Sequence, residues 1–131
     1  MANLAYRSQF VSGYAGQAVV LRASISFGAL GAPTLVSGTG MGIASVTRNS
    51  AGDLTIALTN SFYSLMGVNH AFKSGSSAPA SPGLWIKADS VSSGASPSLE
   101  IVLNAAGTAT DPASGEVLLL ELVMNRSSTG N

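Results

Sequence analysis

The sequence predicts an all-β protein: an antiparallel β-sandwich, jelly-roll-like in its wiring, with extended N- and C-terminal arms. Three observations carry that expectation. Apolar residues recur at every second position in several separate runs, as they do where alternate side chains of a strand face one core. Helical periodicity is almost absent. The runs are divided by short segments rich in Gly, Pro, Ser and Asn, at the spacing of an antiparallel sandwich or small barrel. At 131 residues the chain reads as one domain, 1–131, with room for about seven or eight strands.

Taken in order, residues 1–14 show no periodic pattern and are read as an N-terminal arm. Over 17–27, Val19, Leu21, Ala23, Ile25 and Phe27 fall on one face and Val20, Arg22, Ser24 and Ser26 on the other, which is a long half-buried strand. Ser37-Gly38-Thr39-Gly40-Met41-Gly42 is a glycine-rich turn or bulge entering a strand at Ile43. Residues 43–48 and 54–59 form a hairpin across Asn49-Ser50-Ala51-Gly52-Asp53, where Gly52 supplies the positive φ of the bend. In 61–68, Phe62, Leu65 and Met66 have helical spacing after a possible cap at Asn60 or Ser61, so up to two helical turns are expected.

Residues 73–83 are a loop with Pro79 and Pro82, and 84–89 a strand with Trp85 facing away from Leu84 and Ile86. A second Ser/Gly loop covers 90–97. Leu99, Ile101 and Leu103 alternate with polar neighbours over 98–104. Pro112 and Gly115 predict a turn joining that strand, as a hairpin, to 116–124. Residues 117–120 are continuously apolar, as in a strand covered on both faces or at a subunit contact. Residues 125–131 form a C-terminal tail.

Composition excludes several functions. Six Lys plus Arg balance six Asp plus Glu, so no excess of cations faces a phosphate backbone and no nucleic acid is expected. Only 9% of residues are charged, against about 25% in an average soluble domain. With no Cys there is no disulfide framework, thiolate zinc site or cysteine nucleophile. The opening Met-Ala-Asn-Leu-Ala-Tyr-Arg lacks a basic segment leading into an apolar run, so no secretory signal is expected. The uncharged stretches 23–47 and 54–72 are long enough to span a bilayer but carry Pro33, Thr55, Asn60, Asn69 and His70, so no membrane is expected either.

The chemistry-bearing residues are few. His70 is the only histidine, and no Gly-x-Ser-x-Gly elbow accompanies it, so it is read as a locally hydrogen-bonded residue packed beside Phe72. Glu100, Glu116 and Glu121 stand on the last two strands and would serve as an acid/base pair only if they faced one another. Their alternation with Leu, Ile and Val marks them instead as solvent-facing. The acids lack a calcium-loop spacing, the glycines of 37–42 lack the Lys of a P-loop, and no catalytic residue, metal or cofactor is assigned. Asn125-Arg126-Ser127 fits a glycosylation acceptor but has no secretory context.

Low charge and high apolar content therefore point to association with other proteins. The arm 1–14, the strand 17–27, the hairpin around Val46-Thr47-Arg48-Asn49-Ser50-Ala51-Gly52-Asp53-Leu54 and the apolar strand 116–124 together resemble small β-sandwich decoration (cement) proteins of tailed bacteriophage capsids. That resemblance implies a non-enzymatic virion protein, made in the host cytoplasm, that binds the capsid exterior and reinforces contacts between major capsid protein subunits as a dimer or trimer. Interface candidates are Leu4, Tyr6, Phe10 and Tyr14 in the arm, as aromatic and apolar anchors, and Leu118, Leu120 and Leu122 on the last strand. The alternative is a receptor- or carbohydrate-binding domain of a phage tail or fibre, with loops 73–83 and 90–97 forming a site around Trp85 and Tyr63.

Overall fold

Period-2 patterning becomes strand wherever it occurs in the computed structural model, which describes residues 18–74 and 78–125. The strands are β1 (Ala18–Phe27), β2 (Pro33–Leu35), β3 (Ile43–Ser50), β4 (Asp53–Leu58), β5 (Ser64–Lys73), β6 (Gly83–Ser90), β7 (Ser98–Ala105), β8 (Thr108–Ala109) and β9 (Val117–Asn125), with a 3₁₀ turn at Ala29–Gly31. They form two antiparallel sheets. Sheet A has the order β2-β1-β9-β5, and sheet B the order β3-β4-β7-β6 with β8 added to β7. The chain is a β-sandwich.

The inner faces are the alternating residues of the sequence. From sheet A, Leu21, Ala23, Ile25 and Phe27 meet Leu118, Leu120, Leu122 and Met124; from sheet B come Ile43, Leu54, Ile56, Leu58, Leu99, Ile101 and Leu103. All are buried. Each Leu or Ile removed from water contributes roughly 1.5–3 kcal/mol, so β9 and β7, the central strands, supply much of the drive to fold.

Two expectations are corrected. The helical turns at 61–68 do not form: β5 begins at Ser64, and its register against β9 shifts between Leu65 and Gly67. That bulge adds a residue between the inward Leu65 and Val68, and the resulting i, i+3 spacing imitates a helix. The hairpin joining 98–104 to 116–124 does not form either. β7 pairs with β4, β6 and β8, whereas β9 pairs with β1 and β5. After β7 the chain first turns back on itself through Ala106 and Gly107, both at positive φ, to make β8, and then crosses to the other sheet. The hairpin of 43–59 forms as expected, as β3 and β4.

Hydrogen bonds tie the connections to the strands. Asp111 receives Arg48 at two points, Nε to Oδ1 at 2.9 Å and Nη2 to Oδ2 at 2.7 Å, and its Oδ1 also accepts the Gly52 N–H at 2.9 Å. This fastens the β3–β4 turn to the β8–β9 crossover. Buried Glu116 accepts the N–H groups of Ala80 at 2.9 Å and Ala113 at 3.0 Å, closing the loop before β6 and the turn before β9. Its alternation with apolar neighbours predicts a solvent-facing Glu116; its position at the strand entrance, where backbone donors lack ladder partners, explains the burial instead.

Candidate interaction surface

The outer faces of the two sheets differ. On sheet B it is mostly polar and cross-linked, with Trp85, 41% exposed, as its large apolar group. Lys87, the extra residue of a bulge between Ile86 and Ala88, reaches Asp53 at 2.6 Å and Glu100 at 2.9 Å. Asn49 Nδ2 donates to Asp53 Oδ1 at 3.0 Å and to Thr55 Oγ1 at 2.8 Å. Burial alone would raise the Asp53 carboxyl, but hydrogen bonds from Lys87 and Asn49 outweigh it and hold the group below its ordinary value. The cluster ties β3, β4, β7 and β6 together.

On sheet A the cross-strand register builds rows that face outward. One row is Val20, Val123 and the bulge at Met66 and Gly67; the next is Arg22, Glu121 and Asn69; the third is Ser24, Leu119 and Ala71. Leu119 is 37% exposed, Val20 43% and Met66 60%, large apolar groups in water on one face. The middle row is its polar element: Arg22 Nε donates to Glu121 Oε2 at 2.8 Å and Asn69 Nδ2 to Oε1 at 3.0 Å. Those bonds, Asn69 first and Arg22 second, lower the Glu121 carboxyl from its usual range.

The second and third rows floor a groove of about 580 Å³. Arg22, Ser24, Asn69, Ala71, Leu119 and Glu121 line it, and Gly38 and Thr39 stand along one side. Thr39 is fixed there: its hydroxyl donates to the Val36 carbonyl at 2.6 Å and accepts the Ser24 N–H at 3.2 Å. Gly38, Gly40 and Gly42 all have positive φ, and a Cβ at Gly40 or Gly42 would press on Leu35 or Leu21, which is why this wall is glycine-rich. It opens into β3 and not into a helix.

The sequence-derived candidates are distributed unevenly over this geometry. Leu4, Tyr6, Phe10 and Tyr14 lie outside the described residues. Leu118, Leu120 and Leu122 are buried in the chain's own core, because alternation turns them inward and presents Val117, Leu119, Glu121 and Val123 to the outside. The surface of β9 that a partner would meet is therefore the other half of the same strand. Reading 117–120 as one apolar block hid the distinction; strict alternation with Glu121 as the outward marker would have found it.

The remaining chemistry-bearing residues do not assemble. Glu100 is on the outer face of sheet B and Glu121 on the outer face of sheet A, so a sandwich about 10 Å thick lies between them. His70 donates from Nε2 to the Pro82 carbonyl at 3.0 Å, and its ring meets Phe72 edge-on at 6.2 Å. Trp85, 41% exposed, sits in sheet B, while Tyr63 enters sheet A through its N–H to the Asn125 carbonyl. Among the described residues no group of three His, Asp or Glu could hold a metal ion, and no helix is long and apolar enough to cross a membrane. No family model matches the chain, and no curated protein or solved structure matches it.

Proposed function

We propose that the chain is a non-catalytic structural protein of a phage particle, binding the outside of the capsid and reinforcing contacts between major capsid protein subunits. The outer face of sheet A carries this reading. It is a sheet surface with exposed Val20, Leu119 and Met66 around a single Arg22–Glu121–Asn69 row, the mixed apolar and polar make-up of an interface. The ion pairs Arg48–Asp111 and Asp53–Lys87–Glu100 join strands and loops. Weak contacts of this kind become strong when symmetry repeats them over a shell, through effective concentration.

The test is occupancy. Purified chain is added to shells lacking it, and bound copies are counted by quantitative gel. Val20→Asp with Leu119→Asp places two charges on the outer face without touching the core, so the double variant should fold and lose at least about tenfold in occupancy. Full occupancy by that variant would refute the assignment of this face, and failure of the unaltered chain to bind any shell would refute the function.

A further inference from the structure

A β-sandwich has lateral edges, where unpaired backbone groups invite another strand. Three of the edges here are disturbed by register shifts: β3 at Ile43/Ser45 and Arg48/Ser50, β5 at Leu65/Gly67 and β6 at Ile86/Ala88. The inner pairs β1–β9 and β4–β7 have none. Bulges at edges twist them away from foreign strands. The fourth edge is treated differently. β2 covers Ile25–Phe27, the Val36 N–H reaches the Ser24 carbonyl, and the Gly40 N–H reaches the Arg22 carbonyl. There the chain departs for sheet B. Among the described residues, none pairs with 18–21 of β1 on that side.

The backbone groups of Arg22 and Ser24 point to that side, and by the two-residue period those of Val20 and Ala18 do too. Val20 is exposed on the outer face beside this gap, and Met41, one residue after Gly40, is 90% exposed. Among the described residues the gap is a short edge without a register shift or a covering strand, with apolar side chains next to it.

Residues 1–17 have the properties this edge requires. Leu4, Tyr6, Phe10 and Tyr14 all stand at even positions, so in an extended conformation they share one face, with Arg7 and Gln9 on the other. Charge is complementary as well. All six acids lie within 18–125, where four cations against six carboxylates leave −2, whereas 1–17 hold Arg7 and no acid. Seventeen residues reach roughly 55 Å when extended, well beyond a body whose radius of gyration is about 14 Å, so the segment can span to a neighbour.

We infer that residues 1–17 of a neighbouring copy add as a strand to the open edge of β1 at 18–21, linking copies by backbone hydrogen bonds. The inference rests on the proposed function, which sets copies side by side. It makes the linkage between copies a main-chain ladder along 18–21, with Val20 at the boundary between that ladder and the outer face of sheet A that meets the shell.

The chain has no cysteine, so engineered thiols report contact without background. Full-length Phe10→Cys is mixed with full-length Val20→Cys under mild oxidation, and as a control with Thr47→Cys on the bulged edge strand β3. The mixed disulfide with Val20→Cys should form at least tenfold faster than with Thr47→Cys. Equal rates overturn the inference. So does a chain carrying both Phe10→Cys and Val20→Cys that cross-links only within itself at every concentration. As a second measure, Leu4→Asp with Phe10→Asp, which alters no described residue, should shift the native chain to monomer in sedimentation; an unchanged oligomer overturns it also. Neither measurement involves shells. Segment exchange with bare shells would therefore sink the shell reading alone, and shell occupancy without exchange would sink this one alone.

Discussion

At the scale of single residues, acids decide how the chain responds to pH. The Asp111 carboxyl is lowered chiefly by the Arg48 hydrogen bonds and further by the Gly52 N–H, and Asp53 is lowered by Lys87 and Asn49 against its burial. A group with a depressed folded-state value binds its proton more readily when unfolded, so the stability it contributes is present above the unfolded value and is lost as pH falls through the folded one. The thermal midpoint should therefore stay level from neutrality to about pH 5 and fall below about pH 4, the ordinary carboxylate range. Asp111→Asn should lower the midpoint at neutral pH and flatten the acid decline; an unchanged pH profile would show that the Arg48 pair contributes nothing. Gly52 is the other sensitive point. It has φ +71°, and a Cβ there would run into the Leu103 carbonyl and the Thr110 backbone, so Gly52→Ala should cost at least about 2 kcal/mol in chemical denaturation.

At the scale of elements, β9 separates folding from binding along one strand. Leu120→Ala, on the inner face, should cost about 2–5 kcal/mol, whereas Leu119→Ser, on the outer face, should change stability by less than about 1 kcal/mol and weaken shell binding. Urea titration and the occupancy assay distinguish the two. The legibility of each element follows from the same alternation. β1, β3, β4, β6, β7 and β9 stand within two residues of where period-2 patterning puts them, because each packs one face on a common core. β5 was hidden by its bulge, and β2 and β8, of three and two residues, are too short to show any period. Pairing was illegible for another reason: Arg22 and Glu121 are 99 residues apart, and nothing in either strand names its partner. The turn signal at 110–115 therefore fits a hairpin as well as the crossover that the chain makes there. The candidate surface was half legible. The leucines that the sequence singles out on β9, Leu118, Leu120 and Leu122, face the core, and Leu119 faces outward.

At the scale of the whole molecule, the first and last described strands lie side by side at the centre of sheet A, with Ala18 opposite Asn125 and Ser26 opposite Val117. The segments before Ala18 and after Asn125 therefore leave from one end of the sandwich, next to each other. Hydrogen bonds of an antiparallel ladder run across the strands. A tug that separates the two tails opens the ladder one rung at a time, like a zipper, and meets little resistance. A tug between the segment before Ala18 and the opposite end, near Gly115, runs along the strands in opposite senses and must rupture the whole β1–β9 seam at once. In single-molecule pulling the second geometry should rupture at several times the force of the first. If the segment before Ala18 grips one neighbour and the far end another, the molecule is a strong tether under tension, and drawing its two tails apart is the gentle way to release it.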